Sequence, residues 1–126
     1  MQIREISTKE REQLAEYLSL DENVLYSLLP PYLAEYKQTY FTFKGQIDAG
    51  KKAFAKIRDD LHVKICEEWK LCDKIDDPML QDQVNLAIVI ADTIMTIKTG
   101  IPPFIISTIL VKIGLRDFCN CPRKKG

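Results

Sequence analysis

The stretch Asn85–Leu115, "NLAIVIADTIMTIKTGIPPFIISTILVKIGL", is the most apolar part of the chain, and its reading decides the fold. A helix that crosses a bilayer needs about 20 consecutive, mostly apolar residues. Leu86 to Ile97 supplies 12, with Asp92 among them, and Ile101 to Val111 supplies 11 before Lys112. The polar residues are also ordered. Asn85, Asp92, Thr96 and Thr99, joined by Gln81, fall in one narrow arc when residues advance by 100°. Thr108, Lys112 and Arg116 repeat every four positions. A thin polar stripe on an otherwise apolar helix is the pattern of a central helix in a bundle. The stretch therefore reads as a helical hairpin at the heart of a globular domain.

Two other readings follow from the same residues. A membrane-active protein would insert the 85–115 hairpin under some trigger, with Asp92 and Lys112 as a pair; arms of this length reach roughly 18 Å, or one leaflet. Alternatively, the surplus apolar face is buried between subunits.

Outward from the hairpin, Gly100 closes its first arm and Pro102–Pro103 open the second, which runs to about Phe118. Asp77 followed by Pro78 is an N-cap with proline at the first helical position, and starts the first arm, which runs to about Lys98. "DKIDDP" before it is a loop. Gly45 breaks the preceding pattern, and from about Ile47 to Asp73 comes the strongest helical periodicity: Ile47, Phe54, Ile57, Leu61, Ile65 and Cys72, with Trp69 close by. This helix is roughly 40 Å long. Its first half carries Lys51, Lys52, Lys56 and Arg58, and its second half Glu67, Glu68 and Asp73, the reverse of what a helix dipole favours. Nearer the N-terminus, Ser7 and Glu10 form a capping box for a helix to about Leu18. Asp21 caps "ENVLYSLL", which Pro30 and Pro31 end. Pro31 opens "PYLAEYKQTYFTF", whose Tyr32, Tyr36 and Tyr40 share a face and whose "TYFTF" end has a preference for extended structure.

The expected fold is all-α: a compact bundle of five or six helices, with one long helix at about 47–73 and a C-terminal apolar helical hairpin at about 78–118. It forms a single domain over 1–126, with loose ends at about 1–6 and 120–126. Apolar residues make up 46% and charged residues 29% of the 126, which suits a globular domain. Lys plus Arg and Asp plus Glu are 18 each, a balance unlike the basic excess of a general nucleic-acid binder. The aromatic-basic run "YLAEYKQTYFTFK" then reads as packed tyrosines. "MQIREISTKEREQL" has no apolar core of a secretory signal, so the four cysteines are expected as reduced thiols in a cytoplasmic protein.

Chemistry has few candidates. The single histidine, His62, has Asp59 three residues before it and Cys66 four after, all on one side of the long helix. D-x-x-H is half of a bundle carboxylate metal site and lacks its second half. His62 and Cys66 with Cys119 and Cys121 have the residue types of a tetrahedral zinc site, although C-x-C is less usual than C-x-x-C. His62 and Cys66 as base and nucleophile have no evident orienting partner. The plainer reading keeps His62 at the surface and Cys66 and Cys72 as small core residues. Cys119 and Cys121, near Arg123 and Lys124, are candidates for redox sensing. "CPRKKG" is not a prenylation box, and no phosphate loop, GxSxG or HExxH is present. No cofactor is expected. The functional expectation is a non-enzymatic protein-interaction or self-association module whose partner is another protein or a second copy. Its surface would combine Ile88, Asp92, Met95 and Lys112 of the hairpin with Lys52, Glu67 and Glu68 of the long helix.

Overall fold

The computed structural model describes residues 3, 5–33 and 42–122. It is all-helical, with no strand among the described residues. Helix α1 (Thr8–Ser19) begins at the expected capping box: the Ser7 hydroxyl accepts from the Glu10 amide at 3.1 Å, and the Ser7 amide donates to Glu10 Oε1 at 3.4 Å. Helix α2 (Glu22–Ser27) is capped by Asp21, which accepts from the Asn23 amide at 2.8 Å. A 3-10 turn, Pro30–Tyr32, follows. The expected helix from Pro31 to Phe43 otherwise falls mainly on residues 34–41, including Tyr36 and Tyr40, outside the described residues.

The long helix begins four residues earlier than its periodicity suggests. Helix α3 (Phe43–His62) starts at Thr42, whose hydroxyl accepts from the Gly45 amide at 2.9 Å, so Gly45 lies inside the first turn rather than before it. After His62 the helix widens into a π turn, Val63–Glu68, in which the Trp69 amide donates to Lys64 O at 3.0 Å, five residues back. Lys70 then takes a left-handed conformation (φ 59°), which stops the helix and starts the short α4 (Leu71–Lys74). Asp77–Pro78 opens a 3-10 turn, Pro78–Gln81. The helix proper, α5 (Gln83–Ile94), restarts at Asp82, whose carboxylate accepts from the Val84 and Asn85 amides at 2.8 and 3.2 Å. Helix α6 (Pro103–Ile113) ends at Gly114, whose positive φ of 99° turns the chain into α7 (Leu115–Cys119). Both breaks occur where a backbone dihedral leaves the helical basin, a local event that hydrophobic spacing does not report.

The apolar hairpin is the core. Helix α5 buries Leu86, Ala87, Ile88, Ile90, Ala91 and Ile94, and α6 buries every residue from Ile105 to Val111. The two pack on each other; α1 lies against both, α2 on α6 and the π turn on α5. At about 1.5–3 kcal/mol for each large side chain withdrawn from water, this pair dominates the favourable side of folding. Two residues of its polar stripes, Lys112 and Asn85, dock α1. Lys112 Nζ donates to Leu18 O at 2.9 Å, at the C-terminal end of α1, where a cation also suits the helix dipole. Arg11 Nη1 donates to Asn85 Oδ1 at 3.3 Å, and Asn85 Nδ2 donates to Met79 O at 3.1 Å. Thr108 is fully buried and donates to Phe104 O at 2.7 Å, within its own helix.

The ends are less loose than composition suggests. Ile3 and Ile6 pack against the core, and so does Cys121. Met1, Gln2, Arg4 and residues 123–126, with Arg123 and Lys124, lie outside the described residues.

Helices α2 and α3 meet at Gly50. A Cβ there would lie 1.8 Å from Tyr26 O, a backbone atom that moves only if the helices part. Gly50→Ala should therefore destabilise the protein by about 3 kcal/mol, the upper end for overpacking, as read by urea unfolding. Gly45→Ala meets only the Thr42 hydroxyl and should change stability far less. Tyr26 itself packs edge-on against Phe54 with ring centroids 5.8 Å apart. Burial raises its phenol pKa, Glu22 adds to the rise, and Arg58 opposes it. Its folded-state pKa lies above the unfolded value, so this contribution is whole below about pH 10 and is lost as pH rises through the folded pKa. Tyr26→Phe should remove that part of the alkaline destabilisation, measured by unfolding on either side of that pH.

Candidate functional site

The four cysteines gather at one end of the bundle. Cys66, in the π turn, is bonded to Cys119 at the end of α7, with Cα atoms 5.4 Å apart. Cys72, in α4, is bonded to Cys121, with Cα atoms 5.2 Å apart. No free cysteine remains. The expectation of reduced thiols is therefore overturned, and with it the reading of Cys66 and Cys72 as unattached core residues. The zinc set of His62, Cys66, Cys119 and Cys121 is not assembled either: its three sulfurs are in disulfides, and no group of three or more ligating side chains among the described residues is placed to hold a metal ion.

Local backbone explains the pairing. The π turn and the left-handed Lys70 bring Cys66 and Cys72, six residues apart, to the same edge of the bundle. Asn120 is left-handed as well (φ 53°), so Cys119 and Cys121 reach that edge together. Cys72 Sγ lies 3.9 Å from Cys119 O, which makes the two disulfides neighbours. All four cysteines are half-buried. Around them, Phe118 and Leu71 are buried, the Arg58 guanidinium sits 5.1 Å from the Phe118 ring centroid, and Lys74 donates to Trp69 O while lying 4.9 Å over the Trp69 ring. Arg116 of α7 pairs with Asp76. His62 is partly exposed beside the cluster, its ring 5.6 Å from Phe118 and its Nδ1 3.9 Å from Glu67 Oε2. No sulfur is free to act with it as a nucleophile.

A second feature lies on the outer side of the π turn. Asp60, Val63, Lys64 and Glu68 line a shallow groove with Thr96 and Ile97 from the chain just after α5. Val63 is 44% exposed and Met95, which precedes Thr96 in the chain, 58% exposed. Both are large apolar side chains in a molecule that buries most of its others. Lys64 Nζ and Glu68 Oε1 are 3.5 Å apart across one turn, so the groove carries both signs of charge.

The residues expected to form one interaction surface are divided. Ile88 has no exposure and belongs to the core, because α5 turns that face onto α6. Lys112 donates to Leu18 O. Asp92 is half-buried. Glu68 lines the groove, Met95 is exposed just before Thr96 in the chain, Glu67 faces His62, and Lys52 is exposed along α3. The continuous charged face expected on the long helix is interrupted by the π turn. Sequence reasoning missed Val63 and Ile97, whose exposure depends on that turn. It also missed Cys72 as a disulfide partner; an even number of cysteines in two close pairs is the signal that pointed to it. Among the described residues no helix is long and apolar enough to cross a membrane. Comparison with protein-family models, characterised proteins and solved structures finds no match to this chain.

The disulfides close loops with sequence separations of 53 and 49 residues. One loop of that size stabilises by about 4 kcal/mol through the unfolded chain, and the second adds less because the two loops share residues 72–119. Full reduction should therefore lower the unfolding free energy by at least about 4 kcal/mol. Denaturant unfolding with and without reductant measures it, and Cys66→Ser/Cys119→Ser, which keeps the Cys72–Cys121 bond, should account for the smaller part of the loss.

Proposed function

We propose that the protein is a non-enzymatic helical module that pairs with a second copy of itself through the groove at the π turn. The observation that carries this reading is exposed Val63 with half-buried Ile97 in one groove of mixed charge, exposed Met95 lying two residues before Ile97 in the chain; Tyr32, Phe43 and Met79 are the other exposed large apolar side chains among the described residues. The groove's charges favour a second copy over a partner of one sign. Asp60 and Glu68 sit around Lys64, so a two-fold arrangement sets each Lys64 against the other copy's carboxylates while the apolar residues meet at the centre. The two disulfides support folding in an oxidising compartment rather than the cytoplasm. Insertion of the hairpin into a membrane asks α5 and α6 to leave their mutual packing, and no observation favours it.

Light scattering after size exclusion, across the accessible concentrations, tests the pairing. The wild-type protein should run as a dimer. Val63→Asp/Met95→Asp should run as a folded monomer whose unfolding temperature no longer depends on protein concentration, because both side chains are exposed in the single chain. A wild-type monomer at every concentration, or a dimer that survives both substitutions, overturns the reading.

A further inference from the structure

The two disulfides have a feature that two separate staples would lack. Their C-terminal partners are two residues apart, and the residue between them, Asn120, is left-handed (φ 53°, ψ 45°). A helical dihedral pair of either hand places Cα atoms two residues apart at about 5.4 Å. That separation lies within the roughly 4.4–6.8 Å that a disulfide spans. The Cα spacing of Cys119 and Cys121 is thus within disulfide range, and both side chains already reach the same edge of the bundle to meet Cys66 and Cys72. The second bond is adjacent, since Cys72 Sγ lies 3.9 Å from Cys119 O. None of the four is sealed in the core: each is half-buried, and exposed Pro122 follows Cys121. Access and a nearby acceptor sulfur are the conditions for thiol–disulfide exchange.

We propose that the four cysteines form a two-electron exchange site for a dithiol, in which one equivalent of reductant opens both cross-links. One thiolate of the dithiol attacks the Cys72–Cys121 bond, and its second thiol resolves the mixed disulfide. The dithiol leaves as a cyclic disulfide, with Cys72 and Cys121 as thiols. The Cys121 thiolate then attacks Cys119 Sγ, and Cys66 leaves as a thiolate. The product holds a Cys119–Cys121 bond and two thiols, Cys66 and Cys72, which carry the two protons given up by the dithiol. Two electrons have entered, one protein disulfide remains, and α7 has lost both covalent ties to the π turn and α4. Cys119 and Cys121 act as the exchanging pair, and Asn120 is a positioning residue that holds them in register.

The test uses the full oxidised chain and one equivalent of dithiothreitol. The reaction is quenched with acid, free thiols are alkylated with N-ethylmaleimide, and the sites and remaining bonds are mapped by peptide mass spectrometry. The expected result is label on Cys66 and Cys72 together with a Cys119–Cys121 cross-link. Label on the bonded pairs, Cys66 with Cys119 or Cys72 with Cys121, without that cross-link overturns the proposal, as does an absence of label. Asn120→Pro, whose ring fixes φ at a negative value, should suppress the Cys119–Cys121 species, and Asn120→Gly should retain it. An Asn120→Pro protein that yields the cross-link as readily as wild type also overturns it.

Discussion

Two helices too apolar to face water set the terms for everything else in this protein. The α5–α6 pair buries an unbroken run from Ile105 to Val111 against Leu86, Ile90 and Ile94 of its neighbour. No two-helix unit can hide such a surface alone, so the remaining elements are recruited as cover. Helix α1 has a modest apolar face, with Leu14 its one fully buried side chain. Besides the apolar packing of Leu14, Tyr17 and Leu18, two directed contacts locate it: the Lys112 ammonium on the Leu18 carbonyl and the Arg11 guanidinium on the Asn85 amide. Asn85 and Lys112 of the hairpin's polar stripes therefore act as specificity devices. They select where α1 lies on a surface that apolar contact alone would leave slippery.

The same constraint acts on the long helix. It must cover the hairpin along its length and also deliver Cys66 and Cys72 to one edge. A straight α-helix advances 100° per residue, which would carry positions six apart to opposite-leaning faces. The π turn and the left-handed Lys70 absorb that mismatch. A left-handed lysine is unfavourable by about 1–2 kcal/mol, a modest penalty beside the covalent closure it permits. π turns are over-represented at working parts of proteins. Here one face of the turn carries a cross-link and the other an exposed apolar rim.

What the sequence disclosed and withheld divides along physical lines. Signals encoded in a few adjacent residues were legible: Ser7 with Glu10, Asp21 and the apolar arms act where the sequence places them, whereas the helix expected to run to Lys98 and close at Gly100 already ends at Ile94. The hairpin was legible because its composition leaves few alternatives. The dihedral breaks at Lys70 and Gly114 were not, since lysine at a left-handed position has no local signature and Gly114 sits inside an unbroken apolar pattern. The cysteine pairing was hidden for a different reason. Four cysteines allow three pairings, and only the three-dimensional course of the chain selects one. The N-terminal sequence then led toward thiols where the folded chain makes bonds. The groove at Val63 and Ile97 was invisible because two residues 34 apart in sequence meet only after both the π turn and the hairpin exist.

The parallel arrangement of the cross-links, Cys66 with Cys119 and Cys72 with Cys121, has a topological consequence. Together with the segments 66–72 and 119–121 they close a small covalent ring at one end of the molecule. Every peptide bond from Cys72 to Cys119 lies in a loop that begins and ends at this ring. A protease that cuts the connection between α5 and α6 would release no fragment. It would leave a two-chain molecule, joined at the ring and still packed along its helices, that separates only when its sulfurs are reduced.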